Sequence, residues 1–279
     1  MPELPEVETV VRDLRPHVVG RRIAGVTVRW RRTIATPGVR EFAAQTRGCK
    51  ITALDRRGKF LVFQLRSRDA ARHVSTAKYL LVHLRMTGGF SIDAPGATRD
   101  KHVHVILTLD DEREVRFRDT RKFGRMWLVD DPARVTGKLG PEPLKISAKE
   151  FAARLARRRG HLKPLLLDQT FLAGLGNIYV DESLWYARLH PLRAAETLTR
   201  AERARLYRAI QRVLTRAIAV GGTSIDVMYK RVNGASGGFQ DSLRAFDRER
   251  RPCRRCGTPI VKTVVGQRGT HFCPTCQRV

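Results

Sequence analysis

Four cysteines near the C-terminus have the spacing of a metal site. Two residues separate Cys253 from Cys256 and Cys273 from Cys276, and 16 residues lie between the two pairs. Four thiolates in this pattern surround a zinc ion tetrahedrally and leave no position for water or substrate. The sequence therefore predicts one structural Zn²⁺ per chain, which stabilises a hairpin too small to fold alone. The isolated Cys49 is expected to be a buried hydrophobic residue outside any disulfide.

The N-terminus offers a second reactive group. Pro2 follows an initiator methionine, which is generally removed before a small residue, and removal exposes a secondary amine. An α-amino group has a pKa of about 7.7–8.0, so part of it is neutral near pH 7.5 and attacks an aldehyde-like carbon to give an iminium ion. Glu3 and Glu6 supply carboxylates that move protons and stabilise the cation. Proline and acidic residues are also common at helix starts that have no catalytic role.

The hydrophobic pattern predicts the elements that position these groups. Residues 3–15 form an amphipathic helix, because apolar side chains recur at three- and four-residue steps. From residue 21 to residue 127 the pattern changes to short alternating runs that indicate a β-sandwich or barrel. The predicted strands are 22–30, 59–65, 79–84, 102–109 and 115–118.

The second half of the chain is predominantly helical. Helices are predicted at 163–169 and 178–189, joined by a Gly-bearing turn whose free helix N–H groups suit phosphate binding. Two further helices have capping boxes at their starts, Ser147 with Glu150 and Thr199 with Glu202. Residues 221–240 contain five glycines and are predicted to be a mobile loop. At the C-terminus, strands at 260–265 and 270–272 flank a turn that carries Arg268 at its tip.

These elements give an α+β fold class. A catalytic N-terminal β-sandwich domain opened by a helix covers residues 1–135, and a linker covers 136–146. A helical DNA-binding domain covers 147–244, and the zinc hairpin covers 245–279.

The charge balance indicates a polyanionic partner. The chain has 279 residues and a formal net charge of +27, with 29 basic and 17 acidic residues before position 147 and 25 and 10 after it. Because both halves are basic, we expect the polyanion to lie across both domains. The sequence has neither a membrane-spanning run of about 20 apolar residues nor a signal peptide, so we expect no membrane partner and a location inside the cell.

The chain resembles the bacterial formamidopyrimidine-DNA glycosylase family along its whole length. The resemblance begins with Met1-Pro2-Glu3-Leu4-Pro5-Glu6-Val7-Glu8-Thr9 and ends with the four-cysteine ribbon. The motifs between them, in chain order, are Arg56-Arg57-Gly58-Lys59, His83-Leu84-Arg85-Met86-Thr87-Gly88, Asp119-Thr120-Arg121-Lys122-Phe123-Gly124, Leu139-Gly140-Pro141-Glu142-Pro143-Leu144 and Gly174-Leu175-Gly176-Asn177-Ile178-Tyr179. The resemblance implies a bifunctional base-excision repair enzyme with a β-sandwich, a helix-two-turn-helix domain and a zinc finger.

The resemblance also implies catalytic roles. Pro2 attacks C1′ of the damaged nucleotide and forms a Schiff base, and Glu3 donates a proton to the sugar ring oxygen. Lys59 is the proton donor in β-elimination, and Arg268 is the residue to which the family assigns proton donation in δ-elimination. Because a guanidinium stays protonated, we interpret Arg268 as a clamp on a phosphate. Glu6 has a supporting role toward the helix and the amine.

Removing a base from duplex DNA requires flipping it out and filling the gap. By resemblance, Met86, Arg121 and Phe123 fill that gap and separate the base steps. The residues expected to contact the DNA backbone are His102, Arg121, Arg158, Asn177 and Arg268.

Several residues differ from those that members of the family often have. Arg85 stands where Gly is frequent and adds bulk beside the wedge, which affects how the opposite base is sensed. The others are Thr87 for Ser, Thr120 for Pro, Lys122 for Arg, and Phe246-Asp247-Arg248 for Tyr-Gly-Arg. The long loop 221–240 is similar to that of the oxidised-purine branch and favours 8-oxoguanine and formamidopyrimidines as substrates.

Alternatives remain open from sequence alone. An endonuclease VIII-like glycosylase for oxidised pyrimidines shares the proline chemistry. A non-catalytic zinc-ribbon DNA-binding protein, or an RNA-binding protein of the translation machinery, also suits the charge. The expected partner is double-stranded DNA with an oxidised base or an abasic site, bound by a monomer in the bacterial cytoplasm at the nucleoid.

Overall fold

The N-terminal helix α1 (Leu4–Val18) begins directly after Pro2 and Glu3. It extends one turn beyond the predicted end because Leu14 and Val18 both lie in the core. The computed structural model describes residues 2–68, 75–225 and 229–279. These residues form two compact units, Met1–Lys138 with Gly221–Gly237, and Leu139–Val220 with Gly238–Val279.

The first unit contains two β-sheets. Its strands are β1 (Ile23–Val28), β2 (Ile34–Thr36), β3 (Lys50–Arg57), β4 (Phe60–Arg68), β5 (Ser75–His83), β6 (Gly88–Asp93), β7 (Val103–Leu109), β8 (Glu114–Asp119) and β9 (Arg125–Val129), and its short helices are α2 (Val39–Thr46) and α3 (Ala133–Thr136). One sheet has the order β1-β7-β8-β6 and the other β2-β9-β5-β4-β3. All pairs are antiparallel except β2 with β9.

One hydrophobic cluster connects α1 with both sheets. It includes Val7 and Leu14 of α1, Phe63 of β4, Phe90 of β6 and Phe117 of β8. Each strand of the two sheets contributes alternate side chains to this cluster, as expected for a β-sandwich. The predicted β-sandwich opened by a helix is therefore confirmed.

The second unit is built from helices and a hairpin. Its elements are α4 (Ala148–Ala156), α5 (Leu162–Leu167), α6 (Asn177–Ala187), α7 (Arg200–Ala219), β10 (Val261–Val265) and β11 (Arg268–Phe272). The hydroxyl of Ser147 accepts the Glu150 N–H at 3.1 Å, and Thr199 and Glu202 form a reciprocal capping box. Both predicted helix starts are therefore present.

The turn of the hairpin is shorter than the sequence suggested. Val265 pairs with Arg268, so the turn consists of Gly266 and Gln267, which have φ of 56° and 61°. Positive φ at both central residues is the type I′ arrangement that matches strand twist. Arg268 is consequently the first residue of β11 instead of the tip of the turn. Within the described part of the chain, no helix is long and apolar enough to cross a membrane.

Candidate active site and metal centre

The start of α1 brings Pro2, Glu3 and Glu6 together. All three are buried, and the Glu3 and Glu6 side chains are only 3% and 2% exposed. Glu6 Oε2 accepts the backbone N–H of Glu3 at 2.8 Å, and the two residues form a capping box. A helix N-terminus stabilises nearby negative charge, so the carboxylates suit this position. Met1, whose removal the amine chemistry requires, lies outside the described residues.

Glu6 also connects α1 to a distant turn of the same unit. Its Oε1 accepts the backbone N–H of Thr223 at 2.7 Å. A Cβ atom on Gly222, which has φ of +80°, would lie 2.7 Å from the same oxygen. Tyr229 donates its hydroxyl to the Gly221 carbonyl at 3.2 Å. Glu6 therefore links the residues beside the candidate nucleophile to the first part of the predicted loop 221–240, of which residues 226–228 lie outside the described residues.

Lys59 lies in the two-residue turn between β3 and β4. Gly58, at φ of 57°, permits this turn, and Arg57 pairs with Phe60 on either side of it. Lys59 is only 7% exposed, which is unusual for a lysine. Arg56, at the end of β3, donates from Nε to Glu8 of α1 at 3.1 Å. This bond ties the strand that leads to Lys59 to the second turn of the helix that follows Pro2.

His83 is a buried histidine near Lys59. Its ring meets Phe60 edge to face, with centroids 4.8 Å apart, and its Nδ1 accepts the Arg85 N–H at 3.0 Å. Burial lowers the pKa of His83 to about 3, assisted by the positive charges of Arg85 and Lys59. The imidazole is therefore neutral at physiological pH, and it faces Lys59 without competing for positive charge.

Two adjacent turns present the predicted wedge residues. Met86 is 37% exposed and Phe123 46%, unusually high for large apolar side chains. Arg121 lies over the Phe123 ring, 4.9 Å from its centroid. The exposed Met86 and Phe123 side chains, with the guanidinium between the turns, have the chemistry of a surface that contacts stacked bases.

The fully buried carboxylate of Asp119 fixes both turns. It accepts a hydrogen bond from the Thr87 hydroxyl, from the Arg121 N–H at 3.2 Å and from the Gly124 N–H at 2.6 Å. A Cβ on Gly124 would lie 2.4 Å from the Phe117 ring, so only glycine fits there. Sequence reasoning included Asp119 in a motif without giving it a role, because its partners come from two separate turns.

His102 lies at the start of the neighbouring strand β7. Its Nδ1 is 3.1 Å from Asp100 Oδ1, and Asp100 also binds Arg118. The Arg118 hydrogen bond, with those from His102, lowers the pKa of Asp100 far below its usual range. The imidazole remains partly exposed, as a backbone contact to DNA requires.

In the second unit, Asn177 and Arg268 are brought together. Asn177, the first residue of α6, donates from Nδ2 to the Gly269 carbonyl at 2.9 Å. The Lys163 ammonium also donates to this carbonyl at 2.9 Å and to Asp181 Oδ1 at 2.6 Å. Both members of this ion pair are completely buried. They fix the backbone next to the exposed Arg268.

Asp181 also binds the hairpin directly. Its Oδ2 accepts the His271 N–H at 2.9 Å. Glu182, the next residue of α6, accepts N–H groups of Arg244, Ala245 and Phe246 at 2.8–3.0 Å. Sequence reasoning missed these two carboxylates, and the only signal for them was acidic residues in an otherwise apolar helix. Arg158, predicted to contact DNA, is exposed after α4 with its guanidinium 5.9 Å from the Phe171 ring.

The four C-terminal cysteines converge into one cluster. All their Sγ atoms lie within 4.8 Å of one another, and the Cys256 and Cys273 sulfurs are 3.5 Å apart. Tetrahedral Zn–S bonds of about 2.3 Å place sulfurs roughly 3.8 Å apart, so the cluster fits zinc. Because all four positions are thiolates, the zinc is structural, as predicted. Cys49 lies elsewhere, is 1% exposed and donates to the Gln45 carbonyl at 3.1 Å.

Comparison with protein families matches nearly the whole chain. Residues 1–126 match the formamidopyrimidine-DNA glycosylase N-terminal domain, and residues 139–229 match the H2TH domain of the same family. Residues 251–279 match the zinc finger found in FPG and IleRS.

Individual relatives match from end to end. The formamidopyrimidine-DNA glycosylases of Herpetosiphon aurantiacus and Enterococcus faecalis are each 45% identical, over 99% and 100% of this chain and 100% and 98% of their own. A Lactococcus lactis FPG mutant in complex with a Fapy-dG containing DNA superposes with a TM-score of 0.90 at 36% identity, covering 100% of both chains. A MutM structure in complex with carbocyclic 8-oxo-G containing DNA gives a TM-score of 0.87 at 36% identity, also over 100% of both chains.

The buried proline and carboxylates at the start of α1, the paired wedge turns and the four-cysteine cluster thus occur in a chain that matches three domains and full-length relatives of one kind. The chain belongs to the formamidopyrimidine-DNA glycosylase family.

Proposed function

We propose that this chain is a bifunctional DNA glycosylase and AP lyase that removes oxidised purines, namely 8-oxoguanine and formamidopyrimidines, in base excision repair. The observation that carries the proposal is the placement of Pro2 directly before α1, with the buried Glu3 carboxylate at the helix N-terminus. The relatives' names and the oxidised-purine DNA in the related complexes support the choice of substrate.

The first step uses the N-terminal amine. Once Met1 has been removed, the Pro2 nitrogen forms a bond to C1′ while the bond from C1′ to the base breaks and the base leaves with that electron pair. Glu3 donates a proton to the sugar ring oxygen, the ring opens, and the C1′–nitrogen bond becomes an iminium ion. Glu6 supports this step by fixing the Glu3 backbone at 2.8 Å.

Strand cleavage follows from the iminium ion. Loss of a proton from C2′ expels the 3′ phosphate, and Lys59 donates a proton to that leaving group. A second elimination releases the 5′ phosphate, which Arg268 holds. Met86, Arg121 and Phe123 fill the space of the extruded nucleotide, and His102, Arg121, Arg158, Asn177 and Arg268 contact the backbone.

The proposal also includes the domain organisation and location. The catalytic domain covers residues 1–135, a linker 136–146, the DNA-binding domain 147–244 and the zinc hairpin 245–279. The substrate is chromosomal DNA, so the enzyme works in the cytoplasm at the nucleoid.

Borohydride trapping tests the chemistry. The protein is incubated with a duplex containing 8-oxoguanine opposite cytosine, a duplex with an oxidised pyrimidine and an undamaged duplex. We expect a covalent adduct on the first, mapped by mass spectrometry to Pro2 as the N-terminal residue. An adduct on the pyrimidine duplex alone would assign an endonuclease VIII-like activity, and none on any duplex would leave a DNA-binding protein without catalysis.

A variant pair identifies the nucleophile. Pro2→Gly replaces the secondary amine, and we expect it to bind lesion DNA but lose most strand cleavage and trapping. Pro5→Ala changes a proline in the same helical turn and keeps the Pro2 amine, so it should still form the adduct. Full trapping by the Pro2→Gly protein would place the nucleophile elsewhere.

A further inference from the structure

Four loops meet at one end of the four-stranded sheet. Strands β1 and β8 end there and β7 and β6 begin there, as the pairs Val28 with Val105, Val103 with Arg118 and Gly88 with Asp119 show. The loop before β6 carries Met86, and the loop after β8 carries Arg121 and Phe123. The loop before β7 carries His102, so every DNA-contacting residue proposed in this unit belongs to this end.

The fourth loop, after β1, has no role in the proposed function. It contains Trp30, Arg31 and Arg32, and a single 3₁₀ turn covers Arg31–Thr33. The Thr33 N–H bonds to the Trp30 carbonyl at 3.0 Å. Both arginines are exposed, and within the described residues neither guanidinium forms a hydrogen bond or ion pair. Two adjacent, uncompensated guanidinium groups therefore face solvent from an ordered turn.

Trp30 connects this turn to the wedge. The Lys122 ammonium lies over the Trp30 ring at 4.2 Å from its centroid, and the Arg32 guanidinium lies 6.0 Å from it. Lys122 stands between Arg121 and Phe123 in the chain. A cation over an indole ring is the strongest form of cation–π contact, so Trp30 braces the turn after β1 against the wedge turn.

The charge of this end of the sheet is strongly positive. Lys101, Arg118 and Lys122 are exposed beside the two arginines. Asp100 already binds Arg118 and His102, so it does not compensate Arg31 or Arg32. The remaining acid, Asp119, is fully buried among its hydrogen-bond donors.

The spacing fits a nucleic-acid backbone. Neighbouring strands lie about 4.8 Å apart, so the end of β1 is roughly 10 Å from the end of β8 and the wedge turn. Each strand of duplex DNA carries a phosphate per about 3.4 Å of helix axis. A duplex engaged by the wedge therefore brings phosphates about three steps away to the turn after β1.

We propose that Arg31 and Arg32, held on the Trp30 platform, form a further phosphate-binding surface for duplex DNA flanking the damaged nucleotide. This inference rests on the proposed function, because the wedge defines where the duplex lies. Guanidinium groups bind phosphate oxygens with two parallel hydrogen bonds, which suits a fixed turn. The surface reads backbone position and is indifferent to sequence.

Salt dependence of binding tests the surface. Binding of a duplex of roughly 20 base pairs with a stable abasic analogue is measured over a range of salt for wild type and for Arg31→Gln/Arg32→Gln. Loss of two phosphate contacts should reduce the slope of log K against log[salt] by about 1.8 and weaken binding on the order of tenfold at 0.1 M salt. The control Lys50→Gln/Arg66→Gln removes the same charge from paired residues of β3 and β4. Lys50 bridges to Arg22 before the opposite end of β1, so the control slope should equal the wild-type slope.

Neutral phosphates then locate the contact. Single methylphosphonates are placed along each strand, and those contacted by Arg31 or Arg32 should weaken binding to wild type but not to the double variant. Equal slopes for wild type and the double variant would overturn the inference, as would equal losses in the double variant and the control. Failure of wild type to prefer the abasic analogue over undamaged duplex would instead count against the proposed function.

Discussion

Asp119 accepts a hydrogen bond from Thr87, and this bond joins the turn that carries Met86 to the turn that carries Arg121 and Phe123. The same carboxylate receives the N–H groups of Arg121 and Gly124 and has no exposed surface. A single buried charge therefore determines how the two halves of the proposed wedge lie relative to each other. Hydrogen bonds to a buried charge are worth about 1.5–3 kcal/mol each, so the link is a stiff one.

Replacing this carboxylate should loosen the wedge. In Asp119→Asn one acceptor oxygen becomes a donor that faces an existing N–H or hydroxyl, so we expect about 2–3 kcal/mol lower stability and at least tenfold lower kcat/KM. Thr87→Ser keeps the hydroxyl and should retain near wild-type activity, whereas Thr87→Val should follow Asp119→Asn. Urea unfolding and single-turnover excision of 8-oxoguanine measure the two effects. Wild-type excision by the Asp119→Asn protein would contradict the role of this residue.

Gly222 offers a test of the contact between Glu6 and the turn at 221–223. Gly222→Ala and Gly234→Ala impose similar backbone strain, since the two glycines have φ of +80° and +82°. Each should cost about 1 kcal/mol of stability. Only at Gly222 does the new Cβ meet Glu6 Oε1, at 2.7 Å, whereas Gly234 has nothing within 4 Å. We expect Gly222→Ala alone to lower the rate of borohydride trapping, and equal trapping rates in both variants would separate Glu6 from the chemistry.

The neutral state of His83 makes stability depend on pH. The pKa of His83 is about 3 in the folded protein, against an ordinary value of 6.5. Below pH 6.5 the unfolded chain takes up a proton that the folded chain refuses, so the free energy of unfolding falls as pH decreases. Between pH 6.5 and pH 5 this loss is about 2 kcal/mol. Urea midpoints of wild type should therefore fall more steeply over this range than those of His83→Gln, and parallel curves would refute the assignment.

Zinc content distinguishes the cysteine cluster from the isolated thiol. Native mass spectrometry should show one zinc per chain for wild type and for Cys49→Ser, because Cys49 lies outside the cluster. Cys276→Ser removes one of four thiolates and should lose zinc and weaken DNA binding more than tenfold, since the hairpin carries Arg268. A Cys276→Ser protein that binds DNA normally without zinc would show that the metal does not support this surface.

Helices and the metal site were predictable from sequence because their signals are local. The capping residues Ser147 and Thr199 lie within three positions of their partners, and the cysteine pairs have a fixed spacing. The strands that sequence analysis missed lack such a signal. In β3, Lys50–Arg57, only Ile51 and Leu54 are buried and a bulge interrupts their alternation, while β6 begins with two glycines. Packing against neighbouring strands forms these elements in spite of weak propensity.

The candidate site divides along the same line. Pro2, Glu3 and the wedge residues were named in advance because they stand in contiguous motifs. The links that position them join residues far apart in sequence, such as Glu6 with Thr223, which are 217 residues apart. A single sequence holds no record of such a pairing, and Asp119, Lys163 and Asp181 were likewise not assigned a role. Their roles follow from burial and hydrogen bonds alone.

The buried pair of Lys163 and Asp181 limits how far the zinc hairpin is a transferable module. Two of the hydrogen bonds that satisfy these charges come from the hairpin backbone, at Gly269 and His271. A protein engineered to lack the hairpin would leave both charges incompletely bonded in its interior, a defect that costs several kcal/mol. A recipient scaffold grafted with the hairpin would in turn need the same pair of helices to receive it. Recombination between relatives should therefore succeed when the crossover keeps α5, α6 and the hairpin from one parent.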